Sequence, residues 1–149
     1  MDHEAALGAV RAVYEALEER PVERQCVSRS ECCRFRLTGK TPYLTAGEAL
    51  VLADFLRRTG RARLESKRDG SCPLLNEVTG RCEAYSARPF GCRTHFCEAA
   101  GGPYSRKEVV DLIRRLEAVD EALFGEGARA LEIALREALQ RPPVRGRPR

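Results

Sequence analysis

Seven cysteines are the residues of this chain best suited to chemistry. Cys26, Cys32 and Cys33 form one group, and Cys72, Cys82, Cys92 and Cys97 form a second. A thiolate binds soft or borderline metals. Four thiolates around zinc or iron make a tetrahedral site whose binding free energy stabilises loops that lack an apolar core of their own. All seven thiols are therefore candidate ligands, and the expected cofactor is zinc or iron, the iron as an ion or in a cluster such as 4Fe-4S. Disulfides are the competing use, but an odd count cannot pair completely within one chain. The first twenty residues have no basic start followed by an apolar stretch, so they do not read as a secretory signal. No window approaches the length of apolar sequence that crosses a bilayer. The protein is expected in the cytoplasm, where thiols stay reduced.

Two further observations bear on the thiols. Cysteines used only as small apolar residues should also occur on helix faces, yet every one falls outside the segments that read as helices. No pair is spaced C-x2-C and the ferredoxin runs are absent, which argues against a simple zinc ribbon or a ferredoxin. Arg88 and Arg93 lie beside Cys92 in sequence. Such cations either favour the thiolate or form surface ion pairs.

Three blocks carry a longer pattern. Cys26, Cys32 and Cys33 match three positions of CxxCxxCC, and Cys72-Pro73-Leu74-Leu75 is a Cys-Pro-apolar run. Gly80-Arg81-Cys82-Glu83-Ala84-Tyr85-Ser86-Ala87-Arg88-Pro89-Phe90-Gly91-Cys92-Arg93 follows G-x-C-x-x-Y-x-x-RP-x-x-CR, with Cys97 trailing it. In these blocks, over roughly residues 26 to 97, the chain resembles the YkgJ-type, or CxxCxxCC, zinc- or iron-chelating cysteine-cluster proteins. The resemblance implies metal chelation by the matched cysteines. One position departs from it, since Arg29 stands where the second motif cysteine would be. If the full set serves two sites, one is incomplete or recruits another residue, and His95, between Cys92 and Cys97, is the candidate. Its bland alternative is a loop histidine facing solvent. Consecutive side chains in extended backbone point opposite ways, so Cys32 and Cys33 can serve different sites.

Related cysteine modules occur beside protein-modifying activity, as in flagellin lysine methylases. A cluster-dependent component of a protein- or small-molecule-modifying enzyme is therefore one alternative function, with a protein partner. This chain shows no glycine-rich nucleotide motif or other catalytic signature and does not itself read as an enzyme.

The net charge of +4 resides in the last nine residues. Four of the 26 basic residues lie in 141–149, which leaves 22 against 22 acids in the remainder. Arg145-Gly146-Arg147-Pro148-Arg149 resembles an AT-hook core, whose arginines lie along a narrow minor groove. The alternative it supports is a nucleic-acid-binding accessory protein with a zinc-stabilised body. The competing reading is a disordered, solubilising end.

The elements that must position the cysteines are mainly helical. Leu7, Val10, Val13, Tyr14 and Leu17 make one apolar stripe within 1–20, ended by Pro21. Thr45 with Glu48, and Ser105 with Glu108, are paired helix-start residues, and Gly60 is a natural stop. Val109, Leu112, Ile113, Leu116, Val119 and Leu123 continue the third helix. Leu131, Leu135 and Leu139 mark a last one, expected to pair antiparallel with the third. Ser71–Tyr85 reads as a hairpin with Cys72 and Cys82 on its two arms. The stretch from Ser86 to Pro103 reads as loop, broken by Pro89 and glycines. Tyr85 and Phe90 either screen a cluster or fill a small core. The expected fold is mainly α, about four helices framing a cysteine-rich loop and small β-hairpin layer. It forms one domain over 1–140, with its motif core at 26–97, helical flanks at 1–20 and 105–140, and a tail at 141–149.

Overall fold

The structure is a computed structural model, and it describes residues 1–20, 41–94 and 104–141. It is mainly helical with a small antiparallel sheet. Helix α1 (His3–Glu18) begins where the Asp2 carboxylate accepts the Ala5 N–H at 2.7 Å, and it buries Ala6, Val10, Val13, Tyr14 and Leu17 along one face. Strand β1 (Tyr43–Leu44) leads directly into α2 (Ala46–Arg58). Thr45 and Glu48 form the reciprocal cap foreseen at this helix start, which satisfies amides that have no partner within the helix. A short helix, α3 (Phe90–Thr94), precedes α4 (Arg106–Ala122), whose start carries the same reciprocal cap between Ser105 and Glu108. Strand β2 (Arg129–Ala130) and α5 (Leu131–Gln140) follow.

Strands β1 and β2 pair antiparallel, with Tyr43 opposite Ala130 and Leu44 opposite Arg129. The Leu131 N–H continues the pairing by donating to the Pro42 carbonyl at 3.0 Å. This short sheet decides where α5 goes. The chain leaves α4 through Phe124–Gly127, joins β1, and so enters α5 beside α2. The expected α4–α5 pairing is therefore replaced: α5 packs on α2, and α4 packs on α1 and α2. The periodicity of Leu131 and Leu135 located the buried face of α5 but could not name its neighbour, because a two-residue strand leaves almost no alternation to detect.

One core joins all these elements. Leu52, Leu56, Val10, Val13, Leu112, Leu131 and Leu135 are almost fully enclosed. Helices α1, α2 and α4 meet at Gly47, where an added Cβ would lie 2.8 Å from both Val10 Cγ2 and Val119 Cγ1. A buried carboxylate ties the same region together. Asp120 accepts the Ala46 N–H at 2.7 Å and the Gly127 N–H at 2.9 Å, which fixes the start of α2 to the end of α4. Among the described residues no helix is long and apolar enough to cross a membrane.

Candidate metal centre

Three of the candidate ligands, Cys72, Cys82 and Cys92, fall in the described residues, and all are thiols. Each sits on a differently built local frame. Before Cys72, the Asp69 carboxylate accepts both the Ser71 N–H (2.9 Å) and the Ser71 hydroxyl (2.6 Å). That closed turn delivers Cys72 into the core, where it is buried against the leucine cluster. Cys82 lies opposite Leu75 in a single antiparallel bridge. The flanking bonds run from Asn76 N to Arg81 O (2.9 Å) and from Glu83 N to Leu74 O (2.8 Å). The turn between them is built by Asn76, whose side-chain oxygen accepts the Val78 and Thr79 amides, and by Gly80 at φ 68°. Only glycine adopts that left-handed backbone without strain. The expected hairpin thus exists as one bridge, with Cys82 in it and Cys72 in the turn that precedes it.

Cys92 is on helix α3, which corrects the reading of this stretch as loop. The Pro89 carbonyl accepts the Cys92 and Arg93 amides at 3.0 and 3.1 Å, so Pro89 stands at the front of the helix rather than inside it. Proline is tolerated there because the amide it lacks would have had no helical partner. The idea that all seven cysteines avoid helices fails with it. Phe90 is core packing, whereas Tyr85 is exposed beneath the Arg88 guanidinium, 3.8 Å from its ring centre.

Arg93 is not a surface charge. Its side chain is 8 % exposed and donates to the Arg88 carbonyl (2.7 Å), the Ser86 carbonyl (2.8 Å) and the Glu18 carboxylate (3.1 Å). Its guanidinium lies 4.1 Å from the centre of the Tyr14 ring. Burial, with Arg88 nearby, lowers its pKa, and the Glu18 carboxylate opposes that fall. Through Glu18 and the Tyr14 ring Arg93 ties α3 to α1, and through the Ser86 and Arg88 carbonyls it fixes the segment that leads into α3.

Sequence reasoning placed Glu48 at a helix start and missed its second task. Glu48 is 3 % exposed. Its Oε2 accepts the Thr45 N–H (2.9 Å) and hydroxyl (3.0 Å), while Oε1 accepts the Phe90 N–H (2.7 Å) and the Tyr14 hydroxyl (3.4 Å). Burial raises the Glu48 pKa, and the four hydrogen bonds oppose that rise. Burial and the Glu48 charge push Tyr14 well above its usual range. No local signal could have disclosed a bond spanning 42 positions; the capping pattern alone accounted for the residue.

Among the described residues no three His, Cys, Asp or Glu side chains form a metal-holding group. Cys26, Cys32, Cys33, Cys97 and His95 lie outside the described residues, as do Arg29 and the tail arginines Arg145, Arg147 and Arg149. The described donors are chemically suited to zinc or iron, because thiolates are preferred ligands of both.

A family model, CxxCxxCC, described as a "putative zinc- or iron-chelating domain", matches residues 24–114. The match spans more than half of the chain and takes in all seven cysteines. Its description supports metal binding. No curated protein and no solved structure matches this chain.

Proposed function

Because the chain belongs to the CxxCxxCC family, we propose that it holds zinc or iron through clustered cysteine thiolates, with Cys72, Cys82 and Cys92 among the ligands. The remaining ligands come from Cys26, Cys32, Cys33 and Cys97, with His95 available in place of the cysteine that Arg29 replaces. The observation that carries this reading is the span of the family match, which encloses every cysteine of the chain. The described thiols are consistent with it: each is anchored by hydrogen-bonded backbone rather than carried on a long regular element.

When bound, the metal would supply a cross-link between the segments that carry its ligands, or, as an iron-sulfur cluster, a redox centre. The chain's own residues do the positioning. The Asp69–Ser71 turn sets Cys72, the Asn76–Gly80 turn sets Cys82, and Pro89, Arg93 and Glu48 set the helix that carries Cys92.

Substitution of Cys82 or Cys92 by Ser tests the proposal. Each change is expected to lower the metal content of protein purified without oxygen and to destabilise it, because the site and the local fold are coupled. Full metal occupancy in both variants would remove these residues from the ligand set.

A further inference from the structure

The structure points to Glu48 as the residue that positions Cys92, and we propose that it does so by holding the first amide of helix α3 while it caps α2. The inference rests on the metal-binding reading and adds a residue that no cysteine pattern contains. Three elements meet at this one carboxylate. The two Thr45 bonds occupy Oε2 and belong to α2, whereas the Phe90 amide of α3 and the Tyr14 hydroxyl of α1 share Oε1. Phe90 is two residues before Cys92 on the same short helix. A five-residue helix has few internal hydrogen bonds, so its orientation depends on outside contacts. Glu48 supplies one at the amino end, and Arg93 supplies others through Ser86, Arg88 and Glu18.

The division of labour between the two oxygens makes the idea testable. Glutamine has one acceptor oxygen and one donor NH2. In Glu48→Gln, the oxygen can serve the Thr45 amide or the Phe90 amide, not both. If the helix cap is kept, the NH2 group faces the Phe90 N–H and the hold on α3 is lost. A capping defect alone would destabilise the protein; a positioning defect would also change the metal site.

Asp120→Asn provides the matched control. Asp120 is likewise a buried carboxylate, and it binds an amide of the same helix start, Ala46, without a hydrogen bond to α3. The experiment loads full-length wild-type, Glu48→Gln and Asp120→Asn proteins with Co2+ as a spectroscopic substitute for the native metal. It then records the ligand-field spectrum and the affinity by competition with a chelator. Glu48→Gln is expected to weaken Co2+ binding by about tenfold or more, the usual effect of losing a support behind a ligand, and to alter the spectrum. Asp120→Asn is expected to lower the denaturation midpoint while leaving both metal readouts near wild type. Wild-type affinity and spectrum in Glu48→Gln and in a companion Glu48→Ala, which has no acceptor for the Phe90 amide, would overturn the inference, and so would equal metal defects in the Glu48→Gln and Asp120→Asn proteins. Failure of the wild-type protein to bind Co2+, zinc or iron would instead refute the metal-binding reading itself.

Discussion

Replacing Gly47 by Ala tests the packing that sets the start of α2, and the structure fixes both the sign and the size of the effect. The added Cβ would lie 2.8 Å from Val10 Cγ2 and from Val119 Cγ1. Carbon atoms pack at about 3.5–4.0 Å, so each valine must recede by roughly 1 Å. Neither can do so cheaply. Val10 and Val119 are buried on α1 and α4, and a β-branched side chain on a helix has one strongly preferred rotamer. Overpacking of this kind costs about 1–3 kcal/mol, while alanine's helix preference over glycine returns at most about 1 kcal/mol. A net loss of about 1–2 kcal/mol is expected, which for a chain of this size lowers Tm by roughly 2–8 °C. Gly8 is the internal control, since it is exposed on α1 with nothing within 4 Å of an added Cβ. Gly8→Ala is expected to be neutral or to gain up to about 1 kcal/mol. Urea denaturation of both variants gives the comparison. Equal or greater stability of Gly47→Ala relative to wild type would refute the close three-helix approach.

Arg93→Lys is expected to lose about 1–2 kcal/mol in urea denaturation, because an ammonium cannot span both the Ser86 and the Arg88 carbonyls and each lost bond is worth about 1 kcal/mol; wild-type stability would show that these bonds contribute nothing. The exposed Glu18 partner adds little to that figure. A pH effect is expected at Glu132, whose carboxyl is held below its ordinary 4.5 by the Ser66 hydroxyl and Arg136. Because the folded value is depressed, its stabilising contribution is present above pH 4.5 and is lost as pH falls through the folded value. Wild type should exceed Glu132→Gln by less than about 1 kcal/mol at pH 7, with the gap closing in acid; a gap that widens in acid would contradict the assignment. Arg29→Cys restores the missing motif position and should leave metal content unchanged or raise it, so a clear loss would mean that the first motif is misaligned.

The four longer helices were legible because their signals are local. The stripe of Val10, Val13, Tyr14 and Leu17, and the two capping pairs at Thr45 and Ser105, each lie within a turn or two of the structure they specify. The Asn76–Gly80 turn was legible for the same reason, through residue types that favour tight backbone. What stayed hidden depends on distant partners. The two-residue strands became a sheet only when Tyr43 met Ala130, and that pairing redirected α5 from α4 to α2. Helix α3 was masked by Pro89, a residue that ends a helix when inside it and fits when at its front. Glu48 read only as a cap, and Arg93 as either a support for the thiolate or a surface ion pair, because their partners Phe90 and Tyr14 lie 42 and 79 positions away. The candidate ligands themselves were named by the cysteine pattern, while the residues that orient Cys92 were not.

The central claim is that these thiols hold a metal. Elemental analysis of full-length protein purified without oxygen, taken with its visible absorption spectrum, tests it most directly. The account predicts stoichiometric metal: about one or two zinc per chain in colourless protein, or iron with sulfide and broad absorbance near about 400 nm for a thiolate-bound cluster. Protein that is folded yet carries neither zinc nor iron, and that takes up neither when each is supplied, would contradict it.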